Sequence, residues 1–293
     1  MRYRNFGDRV GSVSAFTVRL EDGRHRGSVN DWRDFVFACL ETGVNSFEIG
    51  QVSANMLAGC SEAIAAVERR LFIISWRTSL TEGALEVVQK VRDKAASLGL
   101  EGIDILTLEL ERPLRDPGVL ADLRQTQVAR WLCVAGDNNL LDMSILSGEF
   151  DGMTLRLDPN GGWNERNRIK AASNRGMGVI ALDVGLEFAT PPSETPTPAG
   201  LLRLFLRQRE PQMSATFRID VPGWSEQQVA VSHALTDPCI STVVVQPNCI
   251  PALEGLAWCV ERDLPGGAQA QIEMARFSNT APEAPPVRRR AKR

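Results

Sequence analysis

Leu98-Gly99-Leu100-Glu101-Gly102-Ile103-Asp104-Ile105-Leu106-Thr107-Leu108 passes from a helix to a strand across two glycines. The residues before it, from Gly83, repeat apolar side chains at helical spacing, and the residues after Gly102 form a short aliphatic run. The same alternation recurs almost to the end of the chain. It predicts strands at Val13–Leu20, Ser46–Ile49, Phe72–Trp76, Ile103–Leu108, Ala129–Val134, Met153–Leu157, Val179–Val184 and Ser241–Val245. Helices are predicted at Asn30–Thr42, Met56–Arg69, Gly83–Leu98, Pro117–Thr126, Asn139–Leu146, Asn164–Arg175, Ser225–Leu235 and Ile250–Arg262. Asn30 is read as the cap of the first helix, and Gly43 as its stop. Pro117 and Pro251 suit first-turn positions, where a missing N–H is not needed. Strand and helix alternating in this number imply a (β/α)8 barrel, with a doubly wound sheet as the alternative.

The 293 residues divide into a single barrel over 1–277, an N-terminal hairpin at 1–12 within it, and an insertion at about 186–223. The insertion is announced by the Pro/Thr-rich run Glu187–Pro198 after the seventh strand. From Ser278 to Arg293 the prolines and the cluster Arg288, Arg289, Arg290, Lys292 and Arg293 predict a disordered basic tail. The hydrophobic content of 43% supports a sizeable core, and 33 basic against 36 acidic residues give a net charge of −3. That balance argues against nucleic acid or a membrane surface as partner, apart from the tail. No apolar run reaches the ~20 residues of a membrane span, and the start has no apolar signal region, so a cytoplasmic location is expected. The six cysteines are scattered without a CxxC and read as reduced, mostly buried thiols.

The order of several short motifs resembles the aldo-keto reductases. Glu41-Thr42-Gly43-Val44-Asn45-Ser46-Phe47 is similar to that family's "E-A-G-V-N-x-F" before strand two. Leu98–Leu106 resembles its entry to strand four, and Gly178-Val179-Ile180-Ala181 its strand seven. Asp237-Pro238-Cys239-Ile240-Ser241-Thr242-Val243-Val244 resembles strand eight, and Met1–Gly7 the opening hairpin. The resemblance implies hydride transfer from NADPH to a carbonyl, with a Tyr as proton donor tuned by a Lys and an Asp and a His orienting the substrate.

Carried onto the matching positions, these roles fall on other residue types. The Asp falls on Glu48, the Tyr on Ser53, the Lys on Trp76 and the His on Glu109. The chain has one tyrosine, Tyr3, which belongs to the hairpin at the far end of the barrel, and no predicted strand carries a lysine. Trp76 is read as filling the volume that the Lys and nicotinamide leave, and strand alternation is expected to point Arg77 away from the pocket. The cofactor positions diverge as well. The family's Ser-Asn pair falls on Ala135-Gly136, its Gln near Thr154 and its stacking Tyr on Leu182. Its Gly-x-Arg at the phosphates falls on Gln246-Pro247-Asn248, and only Glu254 matches an acidic adenine contact.

These positions imply a barrel that has lost carbonyl reduction, a pseudoenzyme that binds a small ligand or a protein partner. One alternative is a working NADP-dependent oxidoreductase that reduces aldehydes or ketones. Another is a different enzyme using the pocket carboxylates Glu48 and Glu109, with Asp158 near them, as an acid/base pair, a hydrolase pair or a hard-metal site. The plainer reading of the same carboxylates, and the favoured one, is that they pair with arginines such as Arg156 or face solvent in a disused pocket. No metal site is expected, because His25 and His233 stand alone; His233 is read as a partly buried helix residue and His25 as part of a charged loop.

Overall fold

The computed structural model describes residues 1–8, 11–21, 27–80, 83–114, 118–157, 163–184 and 221–280, with side chains to Met274 in the last helix. A two-stranded antiparallel hairpin, β1 (Tyr3–Asn5) and β2 (Ser12–Ser14), precedes the barrel. The barrel strands are β3 (Phe16–Leu20), β4 (Ser46–Ile49), β5 (Ile73–Ser79), β6 (Ile103–Leu110), β7 (Ala129–Gly136), β8 (Gly152–Arg156), β9 (Gly178–Leu182) and β10 (Thr242–Val245). All eight are parallel, and β10 closes on β3, so the sheet has no free edge.

The outer layer is built from α1 (Val29–Glu41), α2 (Ala54–Ala65), α3 (Ala84–Ser97), α4 (Gly118–Gln125), α5 (Asn138–Ser147), α6 (Trp163–Asn174), α7 (Glu226–Ala234) and α8 (Ile250–Val260). A final helix, α9 (Gly266–Thr280), follows them. In α3 the buried residues Ala84, Val87, Val88, Val91 and Ala95 recur at three and four, one stripe of a helix laid against the barrel. Burying each such valine contributes roughly 1.5 kcal/mol or more. Among the described residues no helix is long and apolar enough to cross a membrane.

Several boundaries differ from the sequence reading, each for a local reason. Ser28, not Asn30, caps α1: its hydroxyl accepts from Asp31 N–H while the Asp31 carboxylate accepts from Ser28 N–H, a reciprocal capping box. The run Val13–Leu20 is two strands, because Ala15 N–H turns to the Arg2 carbonyl and leaves β2 in the hairpin. The helix expected to reach Arg69 stops at Ala65, and Arg69–Leu71 is a 3-10 turn. The helix α9 was not anticipated and runs through Thr280, past the expected start of the tail at 278. The Pro/Thr-rich insertion up to residue 220, the tail from 281, Pro117, Asp158 and His25 lie outside the described residues.

The hairpin plugs the N-terminal end of the barrel. Phe6 is fully buried beside Ile105, Cys133, Ile180 and Val244. A Cβ at Gly178 would stand 2.7 Å from the Phe6 ring, so a side chain at the start of β9 would evict the plug. Gly7 turns the hairpin at φ +62 and lies so close to the Gly176 carbonyl that no side chain fits.

Above this apolar layer the barrel interior is lined with hydroxyls. Thr17, Ser46, Ser75, Thr107, Thr154 and Thr242 are all buried and inward-facing. Thr17 Oγ1 donates to Ser46 Oγ at 2.8 Å, Thr242 Oγ1 donates to the Ser14 carbonyl, and Ser75 Oγ to the Phe47 carbonyl. This polar floor supports a charged mouth at the C-terminal ends of the strands, where barrels of this kind carry their sites.

Candidate functional site

Four side chains on four consecutive strands form a ladder of alternating charge at the mouth: Arg19 on β3, Glu48 on β4, Arg77 on β5 and Glu109 on β6. Strand register sets it up. Arg19 and Glu48 are lateral neighbours in the sheet, Glu48 pairs with Ser75, and Ser79 pairs with Glu109. Period-two alternation then carries Thr17, Arg19, Ser75, Arg77 and Ser79 to the inside.

Glu48 is buried at 5% exposure. Its Oε1 accepts from Arg19 Nε at 2.8 Å, Arg19 Nη2 at 2.5 Å and Arg77 Nη2 at 2.7 Å. Burial pushes the Glu48 carboxyl above its ordinary value, against the opposing pull of the Arg19 guanidinium. Arg77 Nη1 stands 3.5 Å from Glu109 Oε1, whose side chain is half exposed. Arg19 and Arg77 are each about a fifth exposed, between core and solvent.

The placement of Arg77 corrects the expectation that it faces away, and with it the role given to Trp76. Trp76 points outward to α3, where Lys94 Nζ lies 5.8 Å from its ring. Ile74 and Trp76 share the helix-facing side of β5, and Ser75 and Arg77 the inner side. Ser53 is not in the mouth cluster either; it is exposed and caps α2, accepting from Met56 N–H. The pocket carboxylates pair with arginines, but these are Arg19 and Arg77 rather than the expected Arg156. Arg156 pairs with Asp183 at 3.1 Å, and Asp183 holds a left-handed backbone (φ +48) at the end of β9.

A cavity of about 660 Å³ opens beside the ladder, over the ends of β5 to β9. Arg77, Glu109, Ala135, Thr154, Arg156 and Leu182 are among its walls. On its far side Arg168 of α6 holds Asp142 in a two-toothed bond and donates to Asn138 Oδ1. Asp137 caps α5, accepting from Leu140 N–H at 2.9 Å. Ala135 and Leu182 are buried, Gly136 is exposed, and Thr154 Oγ1 lies 3.4 Å from Thr107 Oγ1. Gln246 and Asn248 are exposed beyond β10 with Pro247 buried between them, and Glu254 is exposed on α8. Neither they nor Glu254 line this cavity.

Tyr3 sits at the opposite end, its hydroxyl donating to the Gly43 carbonyl at 2.8 Å, before β4 begins. Of the four lysines, Lys90 and Lys94 lie on α3 and Lys170 on α6, while Lys292 is outside the described residues. His233 is buried on α7, with Nε2 3.3 Å from Glu273 Oε1 of α9. Among the described residues no group of three His, Cys, Asp or Glu side chains could hold a metal ion. Arg19 was not singled out from the sequence. Its signal is the polar alternation Thr17-Val18-Arg19 within an otherwise apolar strand.

No family model matches the chain, and no match is found among curated proteins. Solved structures are similar to it. The holo form of aldo-keto reductase AKR11C1 from Bacillus halodurans superposes with a TM-score of 0.70 at 16% identity, over 94% of this chain and 96% of that one. The apo form of the same protein gives 0.67 at 16% identity over the same shares. The fold is that of an aldo-keto reductase. Within that aldo-keto-reductase-type barrel, the ladder from Arg19 to Glu109 occupies the strand ends onto which the resemblance carried three of the four catalytic positions, Glu48, Trp76 and Glu109.

Proposed function

We propose that this barrel binds a small ligand at its C-terminal mouth and does not carry out the carbonyl reduction that the resemblance implies. The observation that supports this reading is the ion cluster Arg19–Glu48–Arg77. Reduction of a carbonyl needs an acid near the developing alkoxide whose pKa is tuned toward neutrality. A guanidinium does not release its proton in the accessible range, and Glu48 Oε1 is already taken by three N–H donors. The chain's one phenol is Tyr3, at the far end.

The residues at the cofactor-equivalent positions do not fit NADPH. A nicotinamide amide needs polar side chains; Ala135 and Leu182 are buried apolar surface. A 2′-phosphate needs a cation, which Gln246, Pro247 and Asn248 do not supply, and Pro251 removes an amide from the first turn of α8. A small ligand is favoured over a protein partner because the mouth is concave, with a volume in the range of small-molecule sites.

The reading is tested by titrating the full chain with NADPH, following tryptophan fluorescence, and by NADPH oxidation at 340 nm over a panel of aldehydes and ketones. The expected result is neither saturable binding nor turnover above the buffer rate. Turnover that Arg77→Gln abolishes would overturn the reading and return the protein to the oxidoreductases.

A further inference from the structure

We propose that the ligand of this mouth is a small organic carboxylate with an apolar body, held by the Arg77 guanidinium in place of Glu109. The inference rests on the ligand-binding reading above and adds the chemical class.

The deep end of the mouth has two guanidiniums, Arg19 and Arg77, against one buried carboxylate. All three hydrogen bonds to Glu48 converge on the same oxygen, Oε1. Arg77 commits Nη2 to it. Its Nη1 has only Glu109 Oε1, at 3.5 Å, beyond the ordinary N–H···O range. Its Nε has no acceptor among the described residues. The buried part of the cluster therefore carries one positive charge in excess; of the carboxylates around it, Glu21 lies within electrostatic reach of Glu48, and Glu109, which faces Arg77, is half exposed and loosely seated. A guanidinium with unused donors, partly shielded from water, binds a carboxylate strongly and with fixed geometry.

The remaining walls describe the rest of the ligand. Ala135, Leu141, Leu155 and Leu182 present apolar surface to the cavity. Thr154 Oγ1 has only a long contact to Thr107 and can bond a second ligand oxygen. Arg156 and Arg168 already hold Asp183 and Asp142, and Asp137 and Glu165 add two carboxylates to the same lining, so the free donors are those of Arg77. A ligand that replaces Glu109 as the balancing charge needs one negative charge, which favours a monoanion over inorganic phosphate. Glu109 competes for the same donors, so it sets the affinity from the other side.

The test is calorimetric titration of the full chain with benzoate and hexanoate, with benzamide, hexanol and inorganic phosphate as size- or charge-matched controls. The carboxylates are expected to saturate, about tenfold or more tighter than the neutral probes. Glu109→Gln removes the competitor and is expected to tighten carboxylate binding several-fold; Arg77→Gln is expected to abolish it. Equal affinity for benzoate and benzamide would overturn the carboxylate assignment while leaving a ligand-binding barrel. Absence of carboxylate binding to both the wild type and Glu109→Gln would overturn it too. Where Arg77→Gln fails to fold, Glu109→Gln decides: unchanged or weaker carboxylate affinity is the contrary result. Failure of the ligand-binding reading itself shows separately, as NADPH turnover.

Discussion

At the scale of the residue, Glu48 and its arginines are not equivalent partners. Glu48 is buried, and desolvation raises its carboxyl above the ordinary value, so its charge is held at a cost. Arg19 and Arg77 keep an edge toward solvent. Glu48→Gln removes the desolvated charge and keeps an oxygen for the guanidiniums; its unfolding free energy should stay within about 1 kcal/mol of the wild type at neutral pH. Arg19→Met leaves the carboxylate behind and should cost about 2–3 kcal/mol, somewhat less than a fully buried broken pair because the arginine is partly wet. Urea titration of the two variants separates these outcomes. The pH dependence follows the same sign. A raised folded pKa means that, between the ordinary carboxylate value and the raised one, the folded chain holds a proton that the unfolded chain releases. Wild-type stability then falls as pH rises through that window, and Glu48→Gln should lose this component of the slope. Arg77 shows why the site was only partly legible in the sequence. Phe72-Ile73-Ile74 is apolar on both faces, so it does not state which alternation is inward. Only Ser75 and Arg77, read as a pair against Ile74 and Trp76, fix the parity, and the lysine-equivalent position drew attention to the wrong one of the two.

At the scale of the element, the N-terminal end of the barrel repeats one device every second strand. Asn45 before β4 accepts from Ser14 N–H, and Asp104 in β6 from Ile74 N–H. Asp151 before β8 accepts from Leu132 N–H, and Ser241 before β10 from Val179 N–H. Each satisfies an amide of the preceding strand or hairpin that lies ahead of the first ladder pair between the two, a donor that the parallel ladder leaves without a partner. The two carboxylates are additionally paired: Asp104 with Arg69 and Arg130, Asp151 with Arg124. Removing them orphans a buried amide and its arginines together. Asp104→Ala is expected to cost about 3 kcal/mol or more, Asp151→Ala somewhat less, and Ser241→Ala about 1 kcal/mol. Chemical denaturation that ranks Ser241→Ala first would contradict this. The strands themselves were legible because β-branched runs between helical stripes admit few arrangements; the polar device was not, because Ile103-Asp104-Ile105 reads as a strand whatever Asp104 bonds to.

At the scale of the whole molecule, the two described ends of the chain are tied to each other. The N-terminal amine pairs with Glu261, Arg2 holds Asp263 at 3.0 Å, and Arg4 donates to the Asp237 and Ile240 carbonyls. Directly after these anchors comes α9, which the sequence reading did not include; its Gly266-Gly267 start and interleaved Gln and Ala give a weak helical signal. Ala268 and Ile272 of α9 are nevertheless buried, with Leu264, against Val221, Val229 and Ala230. Glu273 adds a charged clasp, accepting from Arg166 of α6 at 2.7 Å and facing His233 of α7. A chain ended after Leu264 uncovers this cluster and leaves the buried His233 without Glu273. The lost apolar burial of Ile272 and Ala268 amounts to about 2–3 kcal/mol, which for a domain of this size lowers Tm by roughly 5 °C. A chain ended after Thr280 keeps every one of these contacts and discards the run of prolines and arginines, which has little apolar surface to bury. Its Tm should stay within about 1 °C of the full chain. Scanning calorimetry on both truncations decides between α9 as a structural closure of the barrel and α9 as an appendage. Equal melting of the two would mean that the α7 face is stable without its cover, and a large drop for the chain ended after Thr280 would mean that the basic tail itself docks on the fold.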